Sequence, residues 1–373
     1  MSPCREGGIE YRERAAALSY FIFRKMMGEG GAIYSTYHTG YPDSEKFGVN
    51  HEVLSESIGL ALLYAYYARN LTLFRALLDF VERHLLSPHG TLYWKLNPDL
   101  TPFGVGGHYS SALIDDLRVA RALILGYRLW NDGRALNVSL RLSKGLANYN
   151  RGGDLVESIS WSGENIYKSD KVFLSYLDLR ALELLSEIDG GWRDILEASK
   201  VRILNGKRDG LFFHTFFDVK SGKYGDVFDV CDSLNQLLIL DHLVDAGLKE
   251  EALPLFGFFK DRFEEFGEIN GLYGPNGTAI GGVGIGTYSL FSCLALKLNE
   301  RGLAKRVLES WVLSSQDLEE GSPLFGALVA KWPGDMLDAN SFDNLMGAIS
   351  LEMAIESQLE IGGRAYNEGV PPK

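Results

Sequence analysis

Hydrophobic residues recur along most of the chain with the spacing of α-helices, and segments that alternate hydrophobic and polar positions, as strands do, are almost absent. Clusters of Gly, Pro and Asn separate the helical segments. Twelve helices are predicted, which is enough for six helical hairpins. Their predicted starts are Tyr11, Leu54, Leu73, Ala112, Ala135, Val172, Trp192, Asp229, Lys249, Gly286, Leu303 and Phe342.

The predicted helices alternate in character along the chain. The third carries one hydrophobic stripe, with Leu77 and Leu78 on it and Asp79 and Arg83 opposite, as expected for an outer helix with a solvated side. The second and fourth are hydrophobic nearly all round, which indicates buried inner helices. This alternation predicts an all-α fold, an (α/α)6 toroid in which residues 1–373 form a single catalytic domain. The competing arrangement is an open superhelical array, but no fixed-period repeat is visible.

Composition and charge exclude several classes of function. The formal net charge of −12 opposes a phosphate backbone, so no nucleic-acid partner is expected. The three cysteines are too scattered for a disulfide framework or a zinc site. No stretch approaches the roughly 20 apolar residues of a membrane span, so no membrane insertion is expected. The chain is expected to be soluble: extracellular or periplasmic if a leader was removed, and otherwise cytoplasmic.

Acidic residues gather at the predicted starts of the inner helices, which would meet at one rim of a toroid. Capping explains any one of them, because the first turn of a helix favours negative charge. Several charges on buried first turns instead favour a functional site. The six residues are Glu56, Asp115, Asp116, Asp229, Asp232 and Asp343.

Aromatic residues precede several of these helix starts and are candidates for stacking on sugar rings. Tyr37, Trp94 and Trp161 are the positions considered for substrate binding, although an aromatic side chain is more often part of the core. Other chemistries have less support. The histidines include no His-x-x-x-His pair, and the glycine-rich segment at 281–286 has no preceding strand to make it a nucleotide loop.

Several of these segments resemble glycoside hydrolase family 8, a family of inverting, endo-acting enzymes with an (α/α)6 fold. Residues 55–59 (Ser-Glu-Ser-Ile-Gly) resemble the family's Ser-Glu-Gly segment, and residues 92–96 resemble the Trp-Lys segment that follows it. Residues 111–120 resemble the segment before the family's fourth helix. Residues 175–177 match its Ser-Tyr-Leu segment, and residues 228–229 match its Phe-Asp pair.

The resemblance implies a role for each matched residue. Glu56 would be the general acid, Asp115 or Asp116 would hold the sugar in the centre of the cleft, and Asp229 would activate water. Tyr176, in the matched Ser-Tyr-Leu segment, is a candidate for substrate binding. No cofactor is required.

The segment after Asp229 departs from the family pattern. It lacks both arginines, the proline and the tryptophan that the family usually has, and Asp232 stands where the first arginine is expected. The base is therefore either Asp229 or Asp232. These departures resemble those of family-8-like hydrolases associated with bacterial exopolysaccharides, so the expected substrate is a bacterial polysaccharide, an exopolysaccharide or a β-glucan.

The proposed chemistry needs one protonated and one ionised carboxyl group. Burial would raise the pKa of Glu56, and an inverting pair needs about 6.5 to 9.5 Å between carboxyl groups to admit water. Two alternatives remain open. One is a catalytically inactive glycan-binding protein of a polysaccharide assembly system, and the other is a different (α/α)6 carbohydrate enzyme, such as an unsaturated glucuronyl hydrolase or a lyase.

Overall fold

The computed structural model describes residues 4–38, 52–332 and 336–359. Twelve α-helices lie within these ranges. They are α1 Cys4–Phe21, α2 Ser55–Tyr67, α3 Leu71–Phe80, α4 Leu113–Trp130, α5 Gly133–Leu146, α6 Leu179–Ile188, α7 Arg193–Asn205, α8 Ser233–Asp245, α9 Lys249–Phe266, α10 Ile285–Lys297, α11 Arg301–Val307 and α12 Ser341–Leu359. Outer helices α1, α3 and α11 continue into π-helical turns, at Ile22–Met26, Val81–Leu85 and Leu308–Val312 respectively.

The even-numbered helices form a closed inner ring. Each packs on the next, from α2 through α4, α6, α8 and α10 to α12, and α12 packs back onto α2. Each odd-numbered helix packs on the outside of an inner neighbour, and α1 does so against α12. The predicted (α/α)6 toroid is confirmed, and the open superhelical array is excluded because the ring closes.

Burial follows the predicted alternation. Inner helix α10 buries nearly every residue from Ile285 to Ala295, whereas outer helix α3 buries one stripe that includes Leu77 and Leu78. The hydroxyls of Ser57 and Ser341 lie 2.7 Å apart and join α2 to α12 at the closure. The inner helices therefore supply the core of the toroid, and the outer helices shield it from solvent.

The expectation that strands are almost absent is wrong. Sixteen short strands lie in the described residues, where they form small antiparallel sheets on the segments between helices. They are β1 Thr36–His38, β2 Val53–Leu54, β3 Lys95–Leu96, β4 Tyr109–Ala112, β5 Asn150–Arg151, β6 Asp154–Leu155, β7 Ser158–Ser162, β8 Asn165–Lys168, β9 Lys171–Phe173, β10 Phe216–Asp218, β11 Lys223–Gly225, β12 Cys231–Asp232, β13 Leu272–Tyr273, β14 Ala279–Gly281, β15 Ala330–Trp332 and β16 Met336–Asn340.

Two inner helices begin later than predicted. The segment from Val172 to Tyr176 forms the end of β9 and a 3-10 turn, and α6 begins only at Leu179, after its N-cap Asp178. Helix α8 begins at Ser233, after its N-cap Asp232, so Asp229 precedes the helix by four residues. The segments before the two caps are a strand end with a 3-10 turn and a bend followed by β12, and hydrophobic spacing alone does not distinguish such short segments from a helical turn.

Candidate active site at the N-terminal rim

Side chains join the N-terminal turns of neighbouring inner helices around one rim of the ring. The Ser55 hydroxyl of α2 donates to Asp115 of α4 at 2.7 Å, and the Ser175 hydroxyl before α6 donates to Asn235 of α8 at 2.6 Å. The Gly286 N–H of α10 donates to Asp343 of α12 at 2.6 Å. The first turns of the inner helices therefore meet at one opening, as predicted.

Glu56 is the second residue of α2 and is partly buried. The start of α2 is fixed in place because the Ser55 N–H donates a hydrogen bond to the carbonyl oxygen of Trp94 at 3.0 Å. Burial raises the pKa of Glu56 to about 7. Arg118 opposes this shift, whereas the charges of Asp115 and Asp343 add to it. The carboxyl group is thus placed to be protonated near neutral pH.

Asp115 lies beside Glu56 on the first turn of α4 and is 7% exposed. One oxygen accepts the Ser55 hydroxyl, and the other accepts the Arg118 guanidinium at 2.9 Å. Burial raises the pKa of Asp115, and the Arg118 charge opposes that rise. A Cβ at Gly59 would lie 3.1 Å from the Arg118 side chain, so glycine allows Arg118 to pass close to α2.

Asp343 contributes a third carboxylate from the first turn of α12. Its oxygens accept the Gly286 N–H at 2.6 Å and the Asn340 amide at 2.8 Å. A Cβ at Gly286 would lie 2.7 Å from the carboxylate and 2.5 Å from the Phe342 ring. The glycine-rich segment found in the sequence therefore allows the start of α10 to approach Asp343 and donate to it.

Tyr176 completes this group from the 3-10 turn before α6 and is partly buried. Burial raises the pKa of its hydroxyl to about 12, and the negative charges of Asp115, Glu157 and Glu56 add to the rise. Tyr176 therefore lies within electrostatic range of carboxylates from three separate segments.

Asp116, the alternative to Asp115 for holding the sugar, is enclosed by its hydrogen-bond partners. Asp116 is 0% exposed, and its oxygens accept the Leu92 N–H at 3.0 Å, the Ser111 hydroxyl at 2.8 Å and the Tyr149 hydroxyl at 2.9 Å. Burial raises its pKa to about 8. The side chain ties α4 to the neighbouring segments, and Asp115 is the one of the pair that shares a cluster with Glu56.

The structure separates the two predicted base residues from the carboxylate cluster of Glu56, Asp115 and Asp343. Asp229 lies on the segment before β12, where its side chain is 85% exposed and pairs with Arg208 at 3.1 Å. Asp232 is partly buried, and one of its oxygens caps α8 by accepting the Asn235 N–H at 2.8 Å. Since α8 is three positions from α2 around the ring, Asp232 lies on the opposite side of the rim from Glu56.

The aromatic candidates differ in their surroundings. Trp161 is 3% exposed and packs against His89, Tyr93 and Tyr109, so in this structure it is part of the core, and its stacking on sugar stays a prediction. Tyr37 is partly buried, and its ring forms a T-shaped contact with the ring of Phe21, with the ring centroids 5.7 Å apart. Trp94 is also partly buried, and its backbone contact with Ser55 places it next to Glu56.

Comparison with known proteins identifies the type of enzyme. The family model described as "Glycosyl hydrolases family 8" matches residues 44–211, which include Glu56, Asp115 and Tyr176. The chain is a glycoside hydrolase, and its residues 44–211 are similar to family 8. No curated protein sequence gives a significant match. Within the described residues, no helix is long and apolar enough to cross a membrane, and no three His, Cys, Asp or Glu side chains are grouped to hold a metal ion.

Three solved structures resemble this glycoside hydrolase over at least 90% of both chains. A novel alpha-amylase from Clostridium perfringens is 26% identical, with a TM-score of 0.80, over 91% of this chain and 97% of that one. PssZ from Listeria monocytogenes is 16% identical with a TM-score of 0.67, over 90% and 94% of the two chains. A beta-1,3-1,4-glucanase from Paenibacillus sp. X4 is 14% identical with a TM-score of 0.68, over 94% and 93%.

Two residues of this glycoside hydrolase's rim were not predicted. Arg118 follows Asp115 by three residues on α4, a spacing that places both on one helix face and that signals an ion pair in the sequence. Glu157 lies outside any helix, on the segment between β6 and β7, so no helix-start pattern in the sequence marks it.

Proposed function

We propose that the protein is an endo-acting glycoside hydrolase that cleaves a polysaccharide with inversion, and that Glu56 is its proton donor. The observation that supports this assignment is the placement of Glu56, which lies partly buried beside Asp115 and Asp343 at the rim. A carboxyl group must be neutral to protonate a glycosidic oxygen, and burial among other carboxylates keeps Glu56 neutral up to about pH 7.

Asp115 is proposed to hold the sugar that is cleaved. Ser55 and Arg118 fix its carboxylate next to Glu56, so a sugar bound to Asp115 would present its glycosidic oxygen near the proton donor. The Arg118 charge also helps keep Asp115 ionised, which strengthens hydrogen bonds from sugar hydroxyls.

The water-activating base is proposed to be Asp232 or Asp229. Asp232 is supported by its place at the start of α8, across the ring from α2, because an inverting pair must admit a water molecule between its carboxyl groups. Asp229 is supported by the family resemblance. Its side chain is 85% exposed, so water can reach the carboxylate.

The substrate is proposed to be a neutral polysaccharide. Two classes of polysaccharide are supported by different observations. The segment around Asp232 departs from the family pattern as exopolysaccharide-associated relatives do, which supports a bacterial exopolysaccharide or a β-glucan. The similarity to the C. perfringens alpha-amylase over nearly the full length of both chains supports an α-glucan as the second candidate.

The test is release of reducing sugar from soluble starch, mixed-linkage β-1,3-1,4-glucan and bacterial exopolysaccharide, with product length followed by chromatography. Cleavage of one of these into oligosaccharides of mixed length supports an endo-acting hydrolase and identifies its linkage class. Release of one short product from chain ends would indicate an exo-acting enzyme. Tight binding without any cleavage would indicate the glycan-binding alternative.

A further inference from the structure

Backbone hydrogen bonds fix Glu157 next to the start of α4. Its N–H donates to the Lys171 carbonyl at 2.8 Å, and its carbonyl accepts the N–H of Leu113, the first residue of α4, at 2.9 Å. The adjacent residue Ser158 pairs with Ala112 where β7 meets β4. Glu157 therefore lies directly beside the helix turn that carries Asp115.

Only one of the two carboxylate oxygens of Glu157 has a hydrogen-bond partner within the described residues. One oxygen, Oε1, accepts the Ser169 hydroxyl at 3.1 Å, which fixes the orientation of the group. The other oxygen, Oε2, is buried and has no hydrogen-bond partner within the described part of the chain. A carboxylate oxygen removed from water without a donor is costly, so a position like this one is suited to accept a hydrogen bond from a ligand.

Tyr176 also lies near Glu157. The charges of Asp115, Glu157 and Glu56 all act on the Tyr176 hydroxyl, so Glu157 lies near the same side chain as the proposed acid and the proposed sugar-binding residue. Lys171 partly offsets the charge of Glu157. The Lys171 ammonium group lies 5.1 Å from the ring centres of both Phe173 and Phe216.

We propose that Glu157 is a substrate-contacting residue of this site, and that its free Oε2 accepts a hydrogen bond from a hydroxyl of the bound sugar. The inference rests on the proposed function, because it takes the Glu56 cluster as the place where sugar binds. A hydroxyl donor fits better than a cation, because Lys171 already supplies positive charge nearby. Ser169 fixes the carboxylate before the sugar arrives, so little side-chain freedom is lost on binding.

The test compares Glu157→Ala and Glu157→Gln with Glu164→Gln, a control on the exposed turn between β7 and β8. Steady-state kinetics use maltohexaose and cellohexaose, and calorimetry of the same sugars uses proteins that also carry Glu56→Gln to suppress cleavage. Glu157→Ala should raise KM and Kd roughly tenfold to a hundredfold, as expected for loss of a charged hydrogen bond, with a smaller change in kcat. Glu157→Gln should have a weaker effect, because its carbonyl still accepts, and Glu164→Gln should have none.

Unchanged KM and Kd in a Glu157→Ala protein that melts normally would overturn the inference and leave the proposed function intact. A loss of kcat that sodium azide restores, with KM unchanged, would also overturn it, because a small nucleophile replaces activated water only where the base has been removed. If the unsubstituted protein neither cleaves nor binds starch, mixed-linkage β-glucan or bacterial exopolysaccharide, both proposals fail.

Discussion

The hydroxyl of Ser55 donates a 2.7 Å hydrogen bond to Asp115, and so links the residue before Glu56 to the neighbouring inner helix. This contact and the Arg118 ion pair together fix the Asp115 carboxylate. We predict that Ser55→Ala lowers kcat/KM by about tenfold, since a hydrogen bond to a charged group contributes about 1.5 to 3 kcal/mol. Asp115→Asn should lower kcat/KM further, because it removes the charge that we propose binds the sugar. Steady-state kinetics and thermal melts of both variants check this.

The pH dependence of cleavage follows from the pKa of Glu56. A proton donor is active only while protonated, so kcat/KM should fall as pH rises above about 7. Asp343 contributes to this pKa through its negative charge. Asp343→Asn removes the charge and keeps an acceptor for the Gly286 N–H, so the basic limb should move to lower pH. A basic limb that does not move would show that Asp343 has no electrostatic effect on the donor.

Trp94 is predicted to line a sugar subsite, because its carbonyl oxygen accepts a hydrogen bond from the Ser55 N–H, next to the proposed proton donor Glu56. Trp94→Ala should weaken oligosaccharide binding by about 1 to 3 kcal/mol if stacking on a sugar resembles stacking on a base. Trp94→Phe retains an aromatic face and should lose less. Calorimetry gives the affinities, and a melt of each variant separates lost binding from lost stability. Full affinity with lower stability would assign Trp94 to the core.

A buried charge network joins four inner helices on the inside of the ring. Arg121 of α4 pairs with Asp178 before α6 and with Asp245 of α8, and Lys297 of α10 pairs with Asp241 and Asp245. We propose that the toroid is one domain that unfolds cooperatively. Removing one partner from such a network leaves charges uncompensated, so Asp245→Asn should cost about 3 kcal/mol of the free energy of unfolding in urea.

The control for this substitution is Glu300→Gln, which removes a more exposed pair with Lys260 and should cost under about 1 kcal/mol.

The network also predicts a pH effect on stability. Burial acts to raise the pKa of Asp245, but Lys297 and Arg121 hold it well below its usual range. Its stabilisation is therefore complete above about pH 4, the pKa in the unfolded chain, and is lost as pH falls below that. Separate transitions by fluorescence and circular dichroism would contradict a single cooperative unit.

The toroid could be predicted from the sequence because inner and outer helices differ in how many of their faces are apolar. The strands in the described residues could not, because all are two to five residues long and too short to show a period of two. Placing Glu56 and Asp115 together required only that the inner helices begin at one rim. Deciding which of Asp115 and Asp116 lies beside Glu56 required tertiary contacts. The two adjacent side chains accept hydrogen bonds from different partners, Ser55 and Ser111 respectively. Glu157 reaches the rim only through the pairing of β4 with β7.

The assignment of Glu56 is tested most directly by Glu56→Gln, measured for turnover of the cleaved glucan and for stability at pH 8. The amide retains the shape of the side chain but has no transferable proton, so kcat should fall by roughly 10²-fold or more. Because the raised pKa means that ionised Glu56 destabilises the fold above pH 7, the variant should also melt at a higher temperature at pH 8 than the unsubstituted protein. Near-full turnover combined with a lower melting temperature would contradict the account and show that Glu56 is only a helix-capping charge.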